Sequence, residues 1–250
     1  SMKFFNTAGP INPNDHYYIE KRLNEPKIHQ LIEEKKYFIL HAPRQSGKTT
    51  AIRILVDQLN NAGTYKAFYI NIESAQASRN NYKEGLRTIL DRFKSGVLHY
   101  FDSNDPAIDF LEKKLESKSL SGSSLYEFLQ FCSQNSDKPL IIFIYEIDAL
   151  VGDTLISVLR QIRDGYTIRP KHFPQSVCLV GVRDVRDYHI WSDEHQMSIL
   201  GGSAFNIKAE SLVLSNFTQE QVRNLYLQHT NQTGQIFTDD ALAYAFYLTQ

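Results

Sequence analysis

The sequence is poor in cysteine, in long apolar runs and in excess charge of either sign. It contains only 2 Cys in 250 residues, Cys132 and Cys178, and both lie in apolar surroundings. This excludes a disulfide framework and predicts buried free thiols. The longest apolar run, around residues 140–145, is far shorter than the roughly 20 residues that span a bilayer. The formal net charge is -1, so no overall basic field favours nucleic acid. We therefore expect a soluble, cytoplasmic protein that neither enters membranes nor favours nucleic acid.

Apolar residues are plentiful enough for a folded core. The chain is 42% hydrophobic and 12% aromatic, which excludes intrinsic disorder as its main description. Its 8 His show no ligand spacing with cysteines or carboxylates, which argues against a structural metal. Ser1 ahead of Met2 is typical of an expression remnant. The last helical pattern is still apolar at Phe246 and Leu248 when the sequence ends at Gln250, so we expect further C-terminal domains in a longer parent protein.

Short apolar runs alternate with helical patterns along the chain. Strands are predicted at residues 37–40, 67–72, 140–147, 176–182 and 205–214. The segment between the second and third strands reads as two or three helices, with breaks at 102–106 and 118–123. Strands that alternate with helices predict a three-layer α/β sandwich around a five-stranded parallel sheet. We expect an N-terminal arm (1–36), a core (37–215) with a helical insert at about 75–138, and the start of a helical lid (216–250).

A phosphate-binding loop follows the first predicted strand. The P-loop pattern is Gly, four residues and then Gly-Lys-Ser/Thr. The matching segment here is Ala42-Pro43-Arg44-Gln45-Ser46-Gly47-Lys48-Thr49, and Thr50 follows it. Backbone N–H groups of such a loop and the N-terminus of the next helix surround the phosphates. Ala42 replaces the first glycine, which a negative φ tolerates.

Each polar residue of this loop has an expected role. Gly47 lets the backbone approach the phosphates, and Lys48 reaches the β- and γ-phosphate oxygens. The Thr49 hydroxyl is placed to bind Mg²⁺. ATP or ADP with Mg²⁺ is therefore the predicted ligand. The alternative is a chance Ser-Gly-Lys-Thr string at a turn, which the preceding strand and the following amphipathic helix disfavour.

The third strand ends without the usual acid. P-loop proteins that hydrolyse ATP with a polarised water follow this strand with Asp-Glu, where Asp holds the Mg²⁺ shell and Glu takes the proton. Here Tyr145 and Glu146 follow the apolar run. A phenol cannot replace a carboxylate as an Mg²⁺ ligand, and its ring adds bulk beside Thr49. Asp148 is the nearest other carboxylate, as a magnesium ligand or as the cap of a helix that begins near Ala149 or Asp153.

These residues predict nucleotide binding with reduced Mg²⁺ dependence and weak hydrolysis. Glu146 is the predicted general base, and its alternative role is an N-cap or an ion-pair partner. Tyr145 in place of the usual Asp is expected to weaken the binding of Mg²⁺ and the positioning of the attacking water. The loop amides and Lys48, which bind phosphate, are unaffected by this replacement.

Several other residues are candidates for the same edge of the sheet. Arg183 follows the fourth strand and is a candidate γ-phosphate sensor, oriented by Asp184 or Asp187; the alternative is a surface ion-pair network. Arg160 and Arg163 lie on the helix after the third strand. They would act as arginine fingers on a neighbouring subunit of a homo-oligomer, or else form a solvated helix face.

The N-terminal arm offers a candidate contact for the base. Tyr18 and Ile19 belong to an aromatic and apolar cluster that could cover the adenine of the nucleotide. A hinge or core contact is the alternative for this cluster.

The sequence resembles the AAA-like P-loop ATPase domains of bacterial signalling and conflict-system proteins, close to the signal-transduction ATPases with numerous domains (STAND). The segments that carry the resemblance are residues 5–10, Tyr18-Ile19 with Arg22, and residues 42–49, 146–150 and 181–188. The resemblance implies an ASCE-type P-loop fold, an adenine nucleotide, a helical lid, and ATP-dependent switching or oligomerisation that controls another domain. Family members look to have Asp where Tyr145 stands, so weaker Mg²⁺ binding and turnover are expected here.

Two other functions share this core. A DNA-associated motor or transposition-type ATPase is the main alternative, and the near-zero net charge argues against it. A small-molecule phosphotransferase is less favoured, because Glu146 follows the strand and no arginine-rich lid is evident.

Overall fold

A computed structural model describes residues 25–41, 48–118, 120–181, 189–192, 197–200, 210–213 and 219–248. Its helices are α1 (Glu25–Glu33), α2 (Lys48–Asn61), α3 (Tyr82–Tyr100), α4 (Pro106–Glu116), α5 (Ser124–Gln134), α6 (Gly152–Asp164), α7 (Gln219–Thr233) and α8 (Asp239–Leu248). Its strands are β1 (Phe38–His41), β2 (Lys66–Asn71), β3 (Leu140–Tyr145), β4 (Ser176–Gly181), β5 (His189–Ser192), β6 (Met197–Leu200) and β7 (Glu210–Val213). Short 3₁₀ turns occupy Glu73–Ser78, Ile147–Ala149 and Tyr166–Ile168.

The central sheet has the strand order β2-β3-β4-β1-β7, and all of its pairs are parallel. Strand β4 therefore lies between β1 and β3. The parallel sheet predicted from the sequence is present, and β7 covers residues 210–213 of the predicted strand 205–214, whose other residues lie outside the described part. Strands β5 and β6 form a separate antiparallel pair, which the sequence analysis did not predict.

Helices cover both faces of this sheet, and the alternation of side chains along β3 shows how. Leu140, Ile142 and Ile144 belong to the apolar cluster formed with α3, α4, α5 and α6. Ile141 and Phe143 belong to the cluster formed with α1 and α2, and the ring of Tyr145 packs against it. Because side chains alternate with a period of two, the last residue of β3 faces α2.

The segment between β2 and β3 forms the three helices α3, α4 and α5, at the upper end of the two or three expected. Asn81 accepts a hydrogen bond from the backbone N–H of Glu84 at the start of α3. Asp105 does the same for Ala107 at the start of α4, where Pro106 occupies the first turn. Such caps satisfy N–H groups that have no partner inside a helix. The predicted break at 102–106 therefore contains a helix cap.

A glycine follows the end of helix α2. The helix stops at Asn61, and Gly63 adopts a left-handed φ of 80° just beyond it. Glycine adopts this conformation without the strain that a Cβ would bring.

Both cysteines are buried and free, as expected. Burial raises the pKa of the Cys178 thiol well above its usual value, which keeps this thiol protonated. None of the helices in the described part of the chain is long and apolar enough to span a membrane.

Candidate functional site

The site lies at the carboxyl edge of the central sheet, where β1 gives way to α2. Strand β1 is buried up to Leu40, and α2 begins at Lys48. Residues 42–47 of the predicted phosphate loop connect the two and lie outside the described residues. Lys48, Thr49 and Thr50 form the first turn of α2, and Thr49 is half-buried. A strand, a six-residue connection and a helix N-terminus are the arrangement that the P-loop pattern requires.

The side chain of Tyr145 meets Thr49 at this edge. The Thr49 side chain lowers the pKa of the Tyr145 hydroxyl and the Glu146 side chain raises it, so the three side chains lie close to one another. Tyr145 ends β3 on the face that packs against α2, and its ring contacts the apolar cluster there. The expected bulk on the side of Thr49 is therefore present.

The surroundings of Tyr145 keep its hydroxyl protonated. Burial is the largest influence, and together with the charges of Glu146 and Glu73 and the hydrogen bond to Glu146 it raises the pKa of Tyr145 to about 12. The hydrogen bond with Thr49 acts in the opposite direction.

Glu146 turns the chain sharply as it leaves β3. Its backbone has φ 66° and ψ 40°, in the left-handed region that non-glycine residues seldom adopt. Such a conformation costs on the order of 1–3 kcal/mol and persists where surrounding contacts enforce it. Glu146 precedes the turn Ile147–Ala149, and its side chain makes no capping hydrogen bond there. The N-cap alternative for Glu146 is therefore not what the structure shows.

Asp148 packs over the end of β4. A Cβ placed on Gly181 would lie 2.6 to 2.8 Å from the Asp148 carboxylate atoms, so a larger residue there would displace this carboxylate. Helix α6 begins at Gly152, and Val151 occupies its cap position. Asp148 is therefore not the cap of that helix, and this alternative was wrong. Its role as a magnesium ligand stays a prediction, and no group of three metal-binding side chains occurs among the described residues.

Glu73 is a residue of this edge that the sequence analysis missed. It follows β2 in the turn Glu73–Ser78, and its charge is one of the influences on Tyr145. An open cleft beside it is lined by Glu73, Ser74, Gln76, Ala77, Arg79 and Val151. The available signal was the position of Glu73 just beyond a strand's carboxyl end, the same criterion that selected Arg183.

The other predicted residues are distributed as follows. Arg160 is exposed on α6, and Arg163 lies 3.5 Å from Asp164 with its side chain 35% exposed. Both positions fit a solvated face as well as a contact with a second subunit. Tyr18 and Ile19 lie outside the described residues, and so do Arg183, Asp184 and Asp187.

The comparisons with known proteins agree on the class of fold. The AAA-like domain family matches residues 6–237, so the chain belongs to this family. No curated protein matches the sequence significantly.

Solved structures with the same fold include Cdc6p, a DNA replication initiation factor and DnaA. The chain resembles Cdc6p from Pyrobaculum aerophilum with 16% identity and a TM-score of 0.52, over 86% of this chain and 51% of that one. The match to a DNA replication initiation factor has 12% identity and a TM-score of 0.53, and it covers 95% of this chain and 60% of that one. The match to AMPPCP-bound DnaA from Aquifex aeolicus has 11% identity and a TM-score of 0.50, and it covers 94% of this chain and 59% of that one. The chain thus spans about half to three fifths of these relatives. The α/β P-loop NTPase fold is confirmed.

The contact between Asp148 and Gly181 can be tested through protein stability. We expect Gly181→Ala to lower the free energy of unfolding by about 1–3 kcal/mol, because the new Cβ overlaps the carboxylate. Asp148→Ala should relieve that overlap, so the double variant should lose less than the sum of the two single losses. Urea denaturation measures all three values. Gly122→Ala is the matched control, since a Cβ there meets nothing within 4 Å. Strictly additive losses would contradict the contact.

Proposed function

We propose that this chain is an ATP-binding switch domain whose hydrolytic activity is weak. The amides of residues 42–47 and the ammonium of Lys48 would hold the phosphates, with Thr49 facing the γ-phosphate side. Tyr18 and Ile19 would cover the adenine. Support comes from membership of the AAA-like family and from a buried strand that leads through six residues into a helix N-terminus.

The presence of Tyr145 at the end of β3, on the face that packs against α2, is the observation that carries the weak hydrolysis. A hydrolysing site needs a carboxylate at the end of β3 that shares the metal with Thr49. In this chain a neutral phenol stands there, on the side of Thr49. Glu146 would serve as the general base and Arg183 as the γ-phosphate sensor. Asp148 would be the remaining carboxylate for Mg²⁺, and it is already packed against Gly181.

The switch would act on other parts of a longer protein. The chain spans only part of the length of its structural relatives, which leaves room for C-terminal domains. Residues 1–36 would form the arm near the adenine, 37–215 the core, and 216–250 the start of the lid. Arg160 or Arg163 would reach the nucleotide of a neighbouring copy. The STAND-type signalling role belongs to this proposal as well.

A DNA-associated ATPase is the second candidate. The fold is shared with Cdc6p and with a DNA replication initiation factor, so the expectation that nucleic acid is not favoured has no support from these relatives. The net charge of -1 is an average over the chain and does not describe a local surface. DNA-stimulated turnover together with salt-dependent DNA binding would favour this candidate over a switch that controls a protein domain.

Lys48→Ala tests the binding of nucleotide. We expect about a 10- to 100-fold loss of ATP affinity, because charge-assisted hydrogen bonds of about 1.5–3 kcal/mol disappear. Isothermal titration calorimetry measures the dissociation constant with Mg²⁺ and in EDTA. Lys113→Ala is the control, since Lys113 pairs with Asp109 on the surface of α4. Unchanged affinity in Lys48→Ala would refute phosphate binding at this loop.

Tyr145→Asp tests the reason for weak hydrolysis. We expect at least a roughly tenfold rise in ATP turnover with Mg²⁺, because a carboxylate would replace the phenol at the metal side of Thr49. Phosphate release at saturating ATP measures the rate. Tyr145→Asn is the matched control, since it removes the phenol and has the shape of Asp without its charge. Equal rates in wild type and Tyr145→Asp would show that Tyr145 is not at the metal site.

A further inference from the structure

Residues 72–80 connect β2 to α3 and form a strap that is bonded on both sides of residues 146–151, the connection between β3 and α6. At the start of the strap, the backbone N–H of Ile72 donates a hydrogen bond of 3.1 Å to the carbonyl of Tyr145, the last residue of β3. The short turns Glu73–Ser78 and Ile147–Ala149 of the two connections then lie against each other.

The end of the strap is bonded to the first turn of α6. The Thr154 hydroxyl donates to the carbonyl of Arg79 over 2.6 Å, and the backbone N–H of Asp153 donates to the side-chain oxygen of Asn80 over 3.1 Å. Val151 occupies the cap position of α6 and makes no side-chain capping bond. Asn80 therefore caps α6 from another element, which satisfies an N–H group that has no partner inside the helix.

The attachment of the strap to α6 is buried. Thr154 is 1% exposed, and a Cβ placed on Gly85 of α3 would lie 2.6 Å from its methyl carbon. Helices α3 and α6 therefore approach each other closely at this point. A buried carbonyl that loses its hydrogen bond stays without a partner, so the bond between Thr154 and Arg79 is costly to break.

Strained backbone occurs in both connections. Arg79 has φ 43° and ψ -109°, and Glu146 has φ 66° and ψ 40°. Residues with a Cβ seldom adopt such conformations, which persist only where surrounding contacts enforce them. The Arg79 side chain is exposed, so its packing does not hold this backbone in place. The conformation of Arg79 is therefore enforced through the backbone of the strap.

We infer that the strap is a strained clasp that closes over residues 146–151. The bonds to Thr154 and Asp153 hold Arg79 in its unfavourable conformation. Together with the bond from Ile72, they fix both ends of residues 146–151. Breaking the bonds to α6 releases the strap, relaxes Arg79 and leaves residues 146–151 held at one end only.

Two carboxylates lie in the segment that the strap holds. Glu146 and Asp148 belong to residues 146–151, so their positions depend on the closed strap. The cleft beside Glu73 is open, and it is lined by the strap and by Val151, so a released strap has space to move. The clasp exists without nucleotide and therefore stands or falls independently of the proposed function.

The strain is tested by two substitutions at Arg79 in the full 250-residue chain. Arg79→Gly and Arg79→Ala both remove the exposed side chain, and only glycine adopts this backbone without strain. We expect Arg79→Gly to melt about 2–4 °C above Arg79→Ala. In a Thr154→Val background the strap is released and Arg79 relaxes. The difference should then vanish or reverse, because glycine loses more conformational entropy on folding.

Two further backgrounds complete this thermal test. Thr154→Ser keeps the hydroxyl donor and should keep the wild-type difference between Arg79→Gly and Arg79→Ala. Asn80→Ala removes the other bond at a half-buried position, and it should reduce the difference as Thr154→Val does. No difference in the wild-type background, or the same difference in all backgrounds, would overturn the clasp.

The hold on residues 146–151 is tested by hydrogen–deuterium exchange of the nucleotide-free chain. Asn80→Ala should raise the exchange rate of these amides about 5- to 100-fold, because a buried donor loses its partner and the segment opens more often. Asn60→Ala is the matched control. It removes two bonds of 2.8 Å to the backbone of Ala67 at the opposite end of β2, and it should leave residues 146–151 at the wild-type rate. An unchanged rate in Asn80→Ala, or an equal rise in Asn60→Ala, would overturn the hold.

Discussion

The contact between the end of β3 and the start of α2 is the interaction on which the rest of the site depends. It exists because β3 is buried on both faces and its side chains alternate strictly. Moving the register by one residue would turn Tyr145 toward α3 and Ile144 toward α2. The core residues Ile141 and Phe143 fix this register through their packing on the α2 face. Core packing therefore determines which residue of β3 faces Thr49.

The carboxyl edge of the sheet carries the unusual backbone features of this region. Glu146 has a left-handed conformation, and Gly181 lies under the Asp148 carboxylate. Both features follow from the sharp turn Ile147–Ala149, which brings Asp148 back over β4. Sheet strands that are rigid and buried can enforce such strain, since their packing leaves few alternatives. The edge is thus held in one arrangement by the core beneath it.

Much of the fold could be predicted from local signals, and the finer geometry could not. Apolar runs predicted the positions of the strands, and the predicted break at 102–106 contains Asp105, the cap of α4. The β5-β6 pair was missed because two four-residue strands give little periodicity to read. The approach of Tyr145 to Thr49 followed from alternation, whereas the Asp148–Gly181 contact depends on a turn that only tertiary packing determines.

Binding and hydrolysis use separate groups in a P-loop site, which is why a phenol on β3 is compatible with a nucleotide switch. Loop amides and Lys48 act on phosphate oxygens, whereas the β3 carboxylate acts on the metal and the water. A ligand shifts a conformational equilibrium by its difference in affinity for the two states, and turnover is not required for that shift. Under the proposed function, the state of this domain would then follow nucleotide binding and release. Its resetting would depend on dissociation, whose rate rises as the magnesium contact weakens.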